Sequence, residues 1–259
     1  MPDHAVEAIL RALPGMDRAR VVSGLADGPT NTTFLVQSGD DRFVLRLDKP
    51  QAGVLGLNRD RERAVCRALA KAGLAPAFLY WDLAEGVCLR PFIEGRCLGR
   101  EDLLEEATLR GLAATLRRLH GLPPVGARFD PAASAQRYAG QLATPEAARL
   151  ARRVEEKAVI LARQPARLAL CHNDLVAENM LASAQQEVLL IDWEYAAVGD
   201  PLFDLAVVVR HHGLGRDLAR SFLEDYLQRP PTAAEAQRFS LQCGLYDALL
   251  ALWNLRVGN

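Results

Sequence analysis

A chain of 259 residues, 50% hydrophobic and 24% charged, can bury a substantial core as one large domain or two lobes. Its formal net charge of −1 offers no basic excess for nucleic acid. No run approaches the ~20 apolar residues of a membrane span, no apolar signal core follows Met1, and five scattered cysteines lack zinc-ligand spacing.

These features predict a cytoplasmic enzyme with reduced thiols and neither membrane nor nucleic acid as partner. After a first helix come three strand-like runs, Ala19–Ser23, Thr32–Gln37 and Arg42–Asp48. Ser38-Gly39-Asp40-Asp41 joins the last two and reads as a hairpin. Asn58 can cap a helix reaching about Ala72 and stopped by Gly73. Two further strands, Phe78–Asp82 and Val87–Arg90, complete a sheet-rich lobe over residues 1–90.

Residues 91–95 read as a linker, and residues 96–259 as a larger helical lobe, so the fold class expected is α+β. Leu103, Leu104, Ala107, Leu112, Leu116 and Leu119 recur at helical spacing across 101–120. Thr144-Pro145 and Asp200-Pro201 each place a capping residue before proline at the first helical position. Thr232 and Glu235 form a capping box that opens the last long helix. On that helix Phe239, Cys243, Tyr246, Leu250 and Trp253 share one stripe, with Phe239 and Cys243 expected in the core. The adjacent His211 and His212 should point apart on their helix, which speaks against a metal pair.

Residues 168–209 contain no lysine or arginine, although the overall frequency would place about five there. Seven acids lie between Asp174 and Asp204. The segment opens with His172-Asn173-Asp174 and reaches Asn179, an H-x-D-x-x-x-x-N pattern. A hydrophobic strand, Val188–Ile191, then ends in Asp192, eighteen residues after Asp174. Phosphoryl transfer needs placed phosphates, a bound divalent metal and an acceptor for the incoming hydroxyl's proton. Asp174 is the candidate acceptor, Asn179 and Asp192 are candidate Mg2+ ligands, and His172 braces the loop.

A cation for the phosphates should come from the first lobe. Phe43, Leu45 and Leu47 share one face of their strand, and Val44 and Arg46 the other. Arg46 is the candidate, oriented by Glu62 on the following helix; Lys49 beside Pro50 is the weaker one. The Gly24–Phe34 turn, rich in donors at Asn31, Thr32 and Thr33, could cover phosphates with its backbone amides.

These residues resemble the choline kinase and aminoglycoside phosphotransferase superfamily, which has a protein-kinase-like two-lobe fold. The resemblance runs from about Val21 to Trp253. It is most specific at Ile191-Asp192-Trp193-Glu194-Tyr195-Ala196 and Asp200-Pro201-Leu202-Phe203-Asp204, and these segments are most similar to bacterial choline kinases. Thiamine kinases share the first of them. The resemblance implies ATP and Mg2+ as cofactors, Phe92, Ile93 and Glu94 as the hinge that meets adenine, and Asp204 as a brace of the catalytic loop. The family's W-x-x-W pair in the last helix is Leu250 and Trp253 here.

The implied acceptor is a small cationic alcohol, choline or a related amino alcohol first. Its site would combine Asp174, Glu194, Tyr195, Tyr246 and Trp253, with Asp200 and Asp247 adding negative potential. A thiamine kinase, an aminoglycoside or sugar phosphotransferase, and a nucleotide-binding pseudokinase scaffold are the alternatives. The oligomeric state is not legible in the sequence.

Overall fold

The computed structural model describes residues 3–54, 56–184 and 187–258, which divide into two compact units, Met1–Glu94 and Gly95–Asn259. The first is built on a five-stranded antiparallel sheet. Strands β1 (Arg20–Asp27), β2 (Asn31–Ser38), β3 (Asp41–Asp48), β4 (Tyr80–Asp82) and β5 (Val87–Pro91) lie in the order β1-β2-β3-β5-β4. The β2–β3 hairpin closes at Ser38↔Asp41. Gly39 there has φ +62°, a conformation that favours glycine because it has no Cβ to clash.

The period-two pattern of β3 sorts its side chains as expected. Leu45 and Leu47 join Val36, Val87 and Leu89 in a core closed by Val6 and Leu10 of helix α1 (Asp3–Ala12), with Phe43 packed against it. A fully buried leucine of this kind stabilises the fold by about 1.5–3 kcal/mol. The other face of β3 carries Arg46 toward helix α3 (Arg59–Lys71), whose buried line is Glu62, Val65, Cys66 and Leu69. Asn58 caps α3 by accepting from the Arg61 N–H. A short helix α2 (Gln51–Val54) precedes it.

The second unit is mainly helical. Its helices are α4 (Glu106–His120), α5 (Pro131–Leu142), α6 (Pro145–Ala162), α7 (Pro201–His211), α8 (Arg216–Leu227) and α9 (Ala233–Val257). Helices α5, α6 and α7 pack on α9, and α4 packs on α8. Two small sheets thread through them. One orders β6 (Arg96–Cys97), β8 (Met180–Ala182) and β9 (Val188–Leu190); the other pairs β7 (Ala169–Cys171) with β10 (Ala197–Gly199). Gly95 leads into β6 so tightly that a Cβ would stand 3.0 Å from the Ala182 carbonyl oxygen.

Thr144, Asp200 and the Thr232–Glu235 capping box open α6, α7 and α9 as expected. Asp130-Pro131 repeats the device at α5, and neither α5 nor α8 was expected from the sequence. The helix expected over 101–120 starts later. Asp102 takes a bidentate ion pair from Arg96 and the Gly99 N–H, which closes a 3-10 turn over Asp102–Leu104, and Glu105 is extended before α4 begins. The core stripe expected on α9 is displaced by one residue. Phe239 and Cys243 are only half-buried, while Gln242, Leu245, Leu249 and Leu252 are buried, because α9 is covered from three sides. His211 and His212 do not point apart: their rings stand 5.0 Å apart where α7 ends and His212 caps it. Their bonds diverge, to the Tyr246 hydroxyl and the Leu175 carbonyl.

Candidate active site

In the first unit Arg46 and Glu62 form a bidentate pair at 2.5 and 3.1 Å, and only 8% and 2% of their surfaces remain exposed. Arg59 adds a bond of 2.8 Å to Glu62 and lies 2.9 Å from Asp48. Burial works against the charge on Arg46, but Glu62, Cys88 and Asp48 together outweigh it and raise the guanidinium well above its ordinary range. Glu62 is held low in turn, burial being outweighed by Arg46 and Arg59. A buried pair of this kind adds little net stability; what it supplies is a fixed, permanently charged guanidinium, which also lies 5.3 Å over the Trp81 ring.

The β1–β2 loop is held by its own side chains. Gly28 N–H donates to the Asn31 carbonyl, and the buried Asn31 amide donates to the Thr30 hydroxyl. The Thr32 hydroxyl donates to Asp27 at 2.7 Å. Lys49, set aside as the weaker phosphate cation, staples this loop through Asp27 and the Gly28 carbonyl at 2.6 and 2.7 Å. At the end of the unit Phe92 N–H donates to the Arg42 carbonyl, and the Arg42 guanidinium covers the Phe92 ring and pairs with Glu94. Ile93 between them is half-buried.

In the second unit β7 delivers His172-Asn173-Asp174. The turn Ala177–Asn179 then feeds β8, and β9 returns to Asp192. Asn179 Nδ2 donates to the Asp174 carbonyl oxygen at 2.9 Å and to Asp174 Oδ2 at 3.0 Å. The Asn179 carbonyl accepts from Ile191 N–H at 3.0 Å. These bonds tie Asn179 to Asp174 and place Asp192 one residue beyond Ile191, the residue that pairs with Asn179. Asn173 and Asp192 both have positive φ, 66° and 63°, a region that Asn and Asp tolerate better than bulkier residues.

His172 is buried and neutral. Burial depresses its pKa, its Nε2–H donates to the Ile191 carbonyl at 2.9 Å, and its Nδ1 accepts from Asp174 N–H at 3.3 Å. Asp204 accepts the N–H groups of His172 and Asn173 at 2.8 and 2.7 Å and faces His120 Nε2 at 2.9 Å. His120, bonded onward to the Tyr226 hydroxyl, was missed in the sequence; it closes α4 and carries no motif. His120, Cys171 and Asp204 are close enough to hold a metal, but both Asp204 oxygens are already engaged by the loop. Asp204→Ala strands two buried amides and a buried histidine, and is expected to lower stability by about 3–5 kcal/mol. Chemical denaturation measures it, and a loss under about 1 kcal/mol would contradict the bracing role.

Burial and the nearby Glu194 charge push Asp174 up to about 6, against the lowering effect of Asn179. A carboxylate poised so near neutrality suits a proton acceptor. Asp192 and the Asn179 amide oxygen are hard donors with no lysine or arginine in the surrounding segment. They fit magnesium, which takes one or two protein oxygens and completes its shell with water and phosphate.

Three rings meet beside this loop. Trp253 of α9 lies edge-on to Tyr195 at 6.5 Å and to Tyr138 of α5 at 5.8 Å. Asn173 Nδ2 donates to the Tyr195 carbonyl at 3.0 Å, tying the rings to the loop that carries Asp174. Tyr138 was not anticipated. Tyr246, expected with these rings, is buried against Phe203 with its hydroxyl on His211. Glu194 is buried, and its charge acts on Asp174. Asp200 and Asp247 do not supply free negative potential: Asp200 caps α7 and binds Arg238 and Gln242, and Asp247 pairs with Arg210 at 2.8 Å.

The profile of the phosphotransferase enzyme family matches residues 21–239. Two curated forms of Protein LicA from Haemophilus influenzae are each 31% identical, over 211 and 209 residues. These alignments cover 77% and 76% of this chain but 60% and 76% of the relatives, so the chain spans less than two thirds of one of them. The structure of a choline/ethanolamine kinase family protein from Mesorhizobium loti superposes with a TM-score of 0.80 at 26% identity, covering 98% of this chain and 86% of that one. LicA in complex with AMP superposes with a TM-score of 0.77 at 22% identity, covering 98% and 88%.

Proposed function

The chain belongs to the phosphotransferase enzyme family, and on that premise we propose that it is a kinase that transfers the γ-phosphoryl group of ATP to the hydroxyl of a small cationic alcohol. Choline or a related amino alcohol is the first candidate. The observation that carries this reading is the Tyr138–Tyr195–Trp253 trio, bonded through Asn173 to the loop that holds Asp174. Aromatic faces attract quaternary and smaller ammonium groups, and a hydroxyl one or two carbons from such a group could then reach Asp174. The LicA and choline/ethanolamine kinase relatives support the same class.

In this reading Asp174 orients the acceptor hydroxyl and takes its proton. Asn179 and Asp192 hold magnesium, which when bound neutralises charge on the phosphates. Arg46, oriented by Glu62, meets the phosphates, the amides of the loop around Asn31 and Thr32 cover them, and the Phe92–Glu94 backbone serves adenine. Thiamine is the second candidate, since its ring nitrogen is also a quaternary cation.

Trp253→Ala should raise KM for the cationic acceptor several-fold to some tens-fold with a smaller effect on kcat. Steady-state kinetics at saturating MgATP checks this; a variant that loses stability without a change in KM would place Trp253 in the core instead. The class itself is tested by a coupled ADP-release screen over choline, ethanolamine, thiamine, amino sugars and aminoglycosides. Turnover of neutral sugars or aminoglycosides without turnover of the three small cations would refute it.

A further inference from the structure

Arg256, in the last turn of α9, already places a cation on the acceptor rings. Its guanidinium carbon lies 5.7 Å from the ring centroids of both Trp253 and Tyr138. A stack on Trp253 alone would be an ordinary neighbour contact along one helix. Here the second ring belongs to α5, and Arg256 Nε also donates to Gln141 Oε1 of that helix at 2.7 Å. The guanidinium is therefore anchored from two helices, and its charge, after the larger effect of Arg137, lowers the Tyr138 hydroxyl pKa against the dominant upward effect of burial.

We propose that Arg256 is a specificity-determining residue: a resident cation over the acceptor rings that weakens the hold on a quaternary ammonium. The inference rests on the reading of the trio as the acceptor's cation site. A ring face polarised by one cation attracts a second less, and two positive charges a few ångströms apart repel in a partly dehydrated site. A quaternary ammonium has no N–H with which to find other partners, so the penalty falls hardest on it. A primary ammonium can turn its hydrogens to carboxylate or carbonyl oxygens and escapes part of it. Arg256 thus shifts preference away from choline-type acceptors and toward smaller amines.

The test uses the full chain with Arg256→Gln, which removes the charge, and Arg256→Lys, which keeps it. Tetramethylammonium binding is read by tryptophan fluorescence. KM is measured for choline, for ethanolamine and for 3,3-dimethylbutan-1-ol, the uncharged isostere of choline. Arg256→Gln should bind tetramethylammonium about three- to thirty-fold more tightly and lower KM for choline by a similar factor. KM for the neutral isostere should stay within about two-fold, ethanolamine should fall between, and Arg256→Lys should resemble the parent. Unchanged or weaker tetramethylammonium binding in Arg256→Gln overturns the inference. So do parallel changes for choline and its neutral isostere, which would show Arg256 acting through packing. A parent chain that turns over no cationic alcohol refutes the kinase reading separately, and tetramethylammonium affinity then still decides the role of Arg256.

Discussion

Asp174→Asn is expected to lower kcat by ~10²–10⁴-fold while leaving MgATP affinity nearly unchanged. Asparagine keeps the size and one oxygen of the side chain but cannot accept the hydroxyl's proton. Steady-state kinetics combined with calorimetry of MgATP binding separates the two effects, and near-parental turnover would remove Asp174 from the proton-accepting role. The pH profile carries an independent signature. Because Asp174 is pushed up to about 6, and its ionised form is the active one, kcat/KM should fall on the acid side of about pH 6, up to tenfold per unit of pH.

The same carboxylate should weaken the fold. Its native pKa lies above the ordinary carboxylate value of 3.8, so between the two the folded chain binds more protons than the unfolded one. Stability therefore declines as pH rises through that window, by at most about 3 kcal/mol at neutral pH. Without nucleotide or metal, Asp174→Asn should melt higher than the parent at pH 8 and lose that advantage near pH 4. A variant less stable than the parent at pH 8 would show that the carboxylate is favourably paired in the native state.

Asp192→Ala is expected to act earlier in the reaction. Removing the carboxylate at the end of β9 should weaken MgATP binding at least about tenfold and cut kcat by roughly a thousandfold, the scale of one metal contact to the developing charge. Magnesium-free ATP should bind the variant and the parent alike. Calorimetry with and without magnesium measures this, and unchanged MgATP affinity in the alanine variant would leave Asp192 with only a structural role at its left-handed turn.

The candidate catalytic loop was legible because the residues proposed for its chemistry are local in sequence. Asp174, Asn179 and Asp192 lie within nineteen positions, and two short strands fold them together. Arg46 and Glu62 were legible from strand parity and helix position, although only the structure shows how deeply they are buried. The rings of the proposed acceptor site were half legible. Tyr195 and Trp253 stood out by motif and helical spacing, whereas Tyr138 lies on α5, a helix rich in alanine and glutamine with a weak apolar stripe. Tyr246 shares the stripe of Trp253, but α9 is enclosed by three helices, so position along one stripe does not separate core from site. Asp200 and Asp247 read as free acids because their partners, Arg238 and Arg210, are 38 and 37 residues away in sequence. His120 supports the loop from 84 residues before Asp204, a distance at which no local pattern operates.

The central claim, transfer of a phosphoryl group to a small cationic alcohol by Asp174, is tested most directly by phosphorus NMR of the chain with MgATP and choline or ethanolamine. The account predicts a phosphomonoester resonance growing in step with ADP, dependent on magnesium and absent with Asp174→Asn. Release of inorganic phosphate with no ester from either alcohol, or ester formation that survives Asp174→Asn, would contradict it.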